Sequence, residues 1–330
     1  MDQKVLKFLP ESLVNYINYT FNLQQLEDLE EIRLRVDRHP QLIFHDQERT
    51  CHSYIFRKED ATTLLARISE FSVYRLEEEL RNGYITVQGG HRVGISGKVA
   101  VHNGQVKAVT HVSSFNIRMA SEKKGAAKHI LRHISDKNLL NTLFIGPPKS
   151  GKTTILRDVI RTISDGEGEL LPTRVGLVDE RSEIAASYHG VPQHDVGSRT
   201  DVMSDCPKAE GMMMMVRSMS PEVLAVDEIG REEDVNSLME AIFTGVQVLC
   251  SVHGYSIKDI LNRPNLAPLI DSQVFSRYVV LSPKPKPGQI IGIYDQQFKP
   301  LNSKVRSIKN EMGRSNHDSV HVHVGRNRYR

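Results

Sequence analysis

Residues 141–154, Asn-Thr-Leu-Phe-Ile-Gly-Pro-Pro-Lys-Ser-Gly-Lys-Thr-Thr, decide the fold. An apolar stretch runs into Gly146-Pro147-Pro148-Lys149-Ser150-Gly151-Lys152-Thr153, which satisfies G-x-x-x-x-G-K-[ST], and then through Thr154 into the helical pattern ILRDVIRTI. A strand before such a loop and a helix after it are the context in which the pattern binds phosphate. The glycines let backbone N–H groups turn inward, and the helix start adds its positive dipole end. Lys152 then reaches the β- and γ-phosphates of ATP as a point charge, and the Thr153 hydroxyl is expected on Mg²⁺.

A second acidic strand end is needed for the metal, and Val223-Leu-Ala-Val-Asp227-Glu228 provides one about 75 residues on. Asp227 is the expected Mg²⁺ partner, and Glu228 is placed to orient or deprotonate the attacking water. Two further strand ends, Asp179-Glu180-Arg181-Ser182-Glu183 and His253-Gly254, should open on the same crevice, so Glu180 and His253 are expected near the γ-phosphate. Arg217, just ahead of the 223–228 strand, is a candidate to report the nucleotide state or brace an acid. A simple salt bridge serves equally well.

The apolar runs at 142–145, 175–178, 223–226 and 246–250 do not alternate, and helical stretches separate them. Such runs predict a parallel sheet buried on both faces, hence an α/β P-loop core over residues 129–298. Residues 1–122 read as a smaller α+β domain. An amphipathic pattern at 59–82 gives way to period-two runs at 84–87, 92–95, 98–101 and 105–109, with 114–119 as a possible last strand. Gly89-Gly90, Ser96-Gly97 and Asn103-Gly104 are the expected turns of a meander. Residues 123–128, polar and small, suit a linker.

The 330 residues are 39% apolar, enough for two real cores. Cys51, Cys206 and Cys250 are too far apart for a metal or disulfide framework and read as reduced structural thiols. Neither a signal-like amino terminus nor a stretch of eighteen apolar residues is present, so a cytoplasmic location is expected. The net charge of +3 conceals a tail, residues 299–330, with eight Lys or Arg against two acids, which leaves −3 for the rest. That tail reads as basic and disordered. Its His317, His321 and His323 lack the carboxylate or cysteine neighbours of a metal site. Met212 to Met215 are expected in a helix core. Arg92 and Arg118 are candidates to close over the phosphates from the first domain.

Taken in order, GPPKSGKTT, VGLVDERSEIA, CPKAEGMMMMVRSMSPEVLAVDEIGREED and SVHG resemble the stage III sporulation protein AA family of endospore-forming bacteria. EIRLRV, FSVYRLEEELRNGYITVQGGHRVGISGKV and VSSFNIRMA extend the resemblance into the first domain, so that it covers residues 8–295. The family is similar in turn to type II and type IV secretion ATPases and pilus retraction motors. That similarity implies a RecA-like core, a hexameric ring with the nucleotide between its two domains, and Asp179–Glu183, Asp227-Glu228 and His253 as the acidic, Walker B and His boxes. One departure is Asp227-Glu228, where secretion ATPases usually carry Gly-Glu. The resemblance further implies a motor on the mother-cell side of the forespore, peripheral to a membrane channel complex whose proteins are its partners. A nucleic-acid-dependent RecA-like ATPase is the alternative suggested by the tail. Against it, the residues before the tail are not basic and lack interleaved aromatics for base stacking. A small-molecule kinase is a further alternative, but no acceptor pocket or lid is recognisable.

Overall fold

The computed structural model describes residues 3–70, 83–102, 104–120, 122–135, 138–167 and 170–301. The second half of the 59–82 helical pattern and all but the start of the basic tail, with its three histidines, lie outside the described residues.

The first 120 residues build an antiparallel sheet in the order β3-β2-β1-β6-β5-β4, comprising β1 (Leu29–Arg35), β2 (Gln41–Phe44), β3 (Glu48–Thr50), β4 (Tyr84–Val87), β5 (His91–His102) and β6 (Gln105–Arg118). Ile32 and Leu34 on β1, Val93 on β5 and Phe115 and Ile117 on β6 are spaced by two, so they fall on one face. Leu13 and Ile17 of helix Glu11–Thr20 and Ala61, Leu64 and Ile68 of helix Lys58–Ile68 recur three and four apart and bury against that face. Each large aliphatic or aromatic side chain buried in this way contributes about 1.5–3 kcal/mol.

Two expectations change here. Ser96-Gly97 is not a turn, and β5 runs through it with a register shift opposite His111 and Val112. Gly97 has φ +90°, and a Cβ there would lie 1.8 Å from the His111 carbonyl oxygen, so the glycine serves a bulge. Likewise the runs at 105–109 and 114–119 are one strand, β6. The meander is then extended by β1, which pairs with β6 on one side and β2 on the other.

The remaining residues build a seven-stranded sheet in the order β13-β12-β7-β11-β10-β8-β9. These strands are β7 (Thr142–Gly146), β8 (Val175–Asp179), β9 (Thr200–Ser204), β10 (Val223–Glu228), β11 (Gln247–His253), β12 (Arg277–Ser282) and β13 (Gln289–Asp295). All neighbours are parallel except β12 and β13. Every residue of β7 and β8 is buried because helices cover both faces. Phe144 enters one core with Ile155, Leu156 and Val159 of helix Lys152–Asp165, while Leu143 and Ile145 point into the other with Leu238 of helix Glu232–Phe243. Met212 and Met215 of helix Lys208–Met219 belong to that second core, whereas Met214 is exposed. Strand β9, TDVMS, sits at the sheet edge with only partial burial, so no apolar run marked it.

The two sheets meet through the segment that follows β8. Gly89 N–H donates to Gln193 Oε1 at 2.8 Å, and Glu122 accepts from Asp195 N–H at 2.7 Å. A Cβ on Gly90, which has φ +75°, would lie 2.9 Å from the Ala186 Cβ. Among the described residues, no helix is long and apolar enough to cross a membrane.

Candidate nucleotide site

Four parallel strands, β7, β11, β10 and β8, end side by side, which is where an α/β sheet gathers polar groups. The loop after β7 turns at Lys149 (φ 61°) and Gly151 (φ 88°) before helix Lys152–Asp165 begins. Gly146 has no room for a side chain, since a Cβ would lie 2.3 Å from Ser150 Oγ. Gly151 is crowded from outside as well. Gly288, in the β12–β13 connection, donates its N–H to the Ser150 carbonyl at 2.8 Å, and its nitrogen would be 2.7 Å from a Gly151 Cβ.

Lys152 is buried, and its Nζ donates to the Gly146 carbonyl at 2.7 Å and the Pro147 carbonyl at 3.4 Å. Burial lowers its pKa, while Glu228, Asp227 and Glu183 pull the other way. Glu228 Oε2 lies 3.9 Å from Lys152 Nζ, and its half-exposed carboxylate faces the opening. Ser150 Oγ is buried with no hydrogen-bond partner among the described residues. Thr153 and Thr154 are half-buried on the first helical turn, Pro147 is buried, and Pro148 and Lys149 are exposed.

Asp227 is buried at the end of β10, and its carboxyl is pushed up to about 6, first by desolvation and then by the charges of Asp179 and Glu183. Asp179 is fully buried too. Its oxygens accept from the amides of Glu183 at 2.9 Å, Ile184 at 2.9 Å and Ala185 at 2.8 Å, so it organises the turn after β8. Burial raises its pKa against the pull of those amides.

Glu180, the next residue after β8, ion-pairs with Lys208, the first residue of helix Lys208–Met219. Glu183, three residues further on, raises the pKa of both Lys152 and Asp227 through its charge. His253 ends β11 in register with Gly146, half-buried and edge-on to Tyr255 at 6.0 Å between ring centroids, and so lies beside the start of the loop. Arg217 is exposed in the last turn of its helix, nine residues or about 14 Å beyond Lys208, toward the opposite edge of the sheet. The fold does not bring it to the other site residues.

Arg118 lines a cleft of about 390 Å³ together with Glu31, Lys123, Gly151, Thr154 and Gly288, on the open side of the loop. Arg92 reaches the Asp179 turn rather than the loop. Its guanidinium donates to the carbonyls of Arg181 at 2.8 Å and Ser182 at 3.2 Å and meets Glu183 Oε1 at 3.4 Å. The roles of Glu183 and Gly288 had no marker in the chain beyond their presence in quoted or turn-rich stretches.

The residues fit a phosphate–Mg²⁺ ligand. Ser150 Oγ is an orphaned buried polar atom, and Asp227 is a buried carboxyl with no ion pair among the described residues. No group of three or more His, Cys, Asp or Glu among the described residues could cage a metal by itself. Mg²⁺ needs no such cage, because it is ordinarily held by one or two protein oxygens together with phosphates and water.

Comparison with known proteins agrees with this architecture. The chain is 49% identical over 306 residues to stage III sporulation protein AA of Bacillus subtilis, covering 93% of this chain and 99% of that protein. A 249-residue stretch is 25% identical to the SEEDLING PLASTID DEVELOPMENT 1 protein of Arabidopsis thaliana, spanning 75% of this chain and 33% of the plant protein. Among solved structures, the ATPase DotB of Legionella pneumophila superposes with a TM-score of 0.56 at 13% identity, covering 92% of this chain and 84% of DotB. The pilus retraction motor PilT with bound ADP superposes with a TM-score of 0.54 at 16% identity, covering 78% and 75%. These likenesses show a shared RecA-like α/β fold. The family described as sporulation stage III, protein AA, matches residues 2–301, and the chain belongs to that family.

Proposed function

We propose that this chain is a Mg²⁺-dependent ATPase of endospore formation that converts ATP hydrolysis into movement as a homo-oligomeric, hexameric ring serving a membrane channel complex. The observation that carries the hydrolytic reading is the juxtaposition of a buried Lys152 ammonium with Glu228 at 3.9 Å, beside the buried, unpaired Asp227. A lysine folded onto carbonyls of its own loop is poised to exchange them for phosphate oxygens.

In this reading the amides of Lys149 to Thr154 and the Lys152 ammonium bind the phosphates, and the Thr153 hydroxyl and Asp227 carboxylate would hold Mg²⁺. The metal supplies charge neutralisation at the β- and γ-phosphates. Glu228 orients water for in-line attack and accepts its proton, which its half-exposed position allows. The cleft at Arg118, Thr154 and Gly288 suits the nucleoside. His253 flanks the phosphates. The chain would be divided into a first domain at 1–122, a linker at 123–128 and an ATPase domain at 129–298. The ring, the mother-cell cytoplasmic location and the membrane partners rest on family membership and on likeness to a pilus motor fold.

Phosphate release from Mg²⁺-ATP by the purified chain, with native mass measured with and without nucleotide, tests the proposal. Hydrolysis that disappears in Lys152→Ala, together with a nucleotide-dependent six-subunit mass, is expected. Unchanged ATP binding by Lys152→Ala would overturn the site, and a monomer under all conditions would overturn the ring.

A further inference from the structure

We propose that Arg92, from the first sheet, is a positioning residue for the ATPase site, holding the Glu183 carboxylate in place in the turn that follows β8. The inference deepens the hydrolytic reading above and rests on it.

Glu183 lies in a backbone segment of unusual geometry. Ser182 (φ 49°), Ala186 (φ 48°) and His189 (φ 52°) all adopt the left-handed conformation without being glycine. Each such residue carries backbone strain and persists only where its surroundings over-determine it. Those surroundings are specific. From beneath, Asp179 accepts the amides of residues 183 to 185. From the phosphate-loop helix, Arg157 donates to the carbonyls of Ile184 at 2.5 Å and Glu183 at 2.8 Å. From the other sheet, Arg92 donates to the carbonyls of Arg181 and Ser182. Four consecutive carbonyls are therefore gripped by two arginines, one on the first sheet and one on the helix that packs on the second.

Arg92 differs from Arg157 in also meeting the Glu183 side chain, at 3.4 Å. Its side chain is only 20% exposed, and its guanidinium lies 5.1 Å from the Tyr84 ring centroid, so it is anchored at the first sheet and aimed at the turn. The turn that carries Glu183 follows β8, which pairs with β10 and so ends beside Asp227, and the Glu183 charge opposes loss of a proton from both Lys152 and Asp227, so its placement bears on the local field at the phosphates. A guanidinium that bonds two carbonyls and a carboxylate cannot be copied by an ammonium, which lacks the planar fork. Movement of the first sheet would thus be felt at the reacting phosphate through one side chain.

The test is steady-state ATP hydrolysis by the full chain and by Arg92→Met, Arg92→Lys, Glu183→Gln and the Arg92→Met/Glu183→Gln double variant. Circular dichroism serves as the check on folding. Arg92→Met is expected to lower kcat on the order of ten- to a hundredfold, the scale of a slightly misplaced group, with KM for ATP within about twofold. Arg92→Lys should recover only part of the loss. The double variant should be no slower than Glu183→Gln alone, because both changes remove the same interaction. Losses that multiply, or a raised KM with kcat unchanged, would overturn the proposal in favour of direct contact with nucleotide or a purely structural role. A parent chain that binds ATP without hydrolysing it would instead sink the underlying hydrolytic reading, and the proposal with it.

Discussion

Replacing Asp227 with Asn should stabilise the nucleotide-free protein while abolishing its response to Mg²⁺-ATP. The carboxyl of Asp227 is raised from 3.8 to about 6 by burial and by Asp179 and Glu183. Its folded value therefore exceeds its unfolded one, so the folded chain keeps a proton that the unfolded chain releases. The linked stability falls as pH rises from about 4 to about 6 and stays low above that range. About two units at 1.36 kcal/mol each come to roughly 3 kcal/mol, and the near-complete burial of the group leaves little solvent screening to reduce it. Asn keeps an oxygen for the Glu228 amide but carries no charge, so at pH 7.5 the cost is absent. With about 2–4 °C per kcal/mol for a domain of this size, Tm should rise by roughly 6–12 °C. Circular dichroism melts in EDTA without nucleotide, taken from pH 4.5 to 8, would show the gap between variant and parent open through pH 4 to 6 and then hold. Mg²⁺-ATP at about a thousand times its Kd should reverse the ranking, since it contributes about 4.1 kcal/mol to the parent alone. An Asn variant that melts below the parent at pH 7.5 without ligand would refute the reasoning.

Glu228→Gln should bind ATP with the parent affinity and lose turnover by on the order of 10² to 10⁴, because binding rests on the loop while proton acceptance rests on the carboxylate. Single-turnover hydrolysis measures this, and normal turnover would move the base elsewhere, with Glu183 the next to test. Gly90→Ala should destabilise the chain by on the order of 1–3 kcal/mol, since the new methyl meets Ala186 at 2.9 Å on a backbone of φ +75°. A shift in the urea midpoint reads it, and an unchanged midpoint would mean that the β4–β5 turn does not rest on the segment after β8.

Local chemistry was legible in the residues alone. The G-x-x-x-x-G-K-[ST] stretch is eight consecutive residues, and the strand and helix on either side carry their own apolar patterns, so neither depends on the rest of the chain. The unalternated runs of β7, β8, β10 and β11 likewise announced a covered parallel sheet, because burial on both faces leaves no polar period. From these the α/β class, Lys152, Thr153 and the Asp227-Glu228 strand end could be read. Ser96-Gly97 was misread as a turn because a bulge and a turn ask the same freedom of a glycine. Only the approach of His111 on the opposite strand distinguishes them.

How the carboxylates of Asp179-Glu180-Arg181-Ser182-Glu183 are partnered was decided only in three dimensions. Lys208, 28 positions away, captures Glu180, and Arg92, 91 positions away, meets Glu183. Arg217 lies close to the Asp227 strand along the chain yet far from its acidic end, because a helix antiparallel to its strand carries its last turn to the opposite edge of the sheet. Sequence by itself determined the groups whose chemistry is complete within a few neighbouring residues. Tertiary structure decided those whose direction depends on partners brought near by chain crossings, since the charge and hydrogen-bond energies that orient them fall off over a few ångströms of space and take no account of distance along the chain.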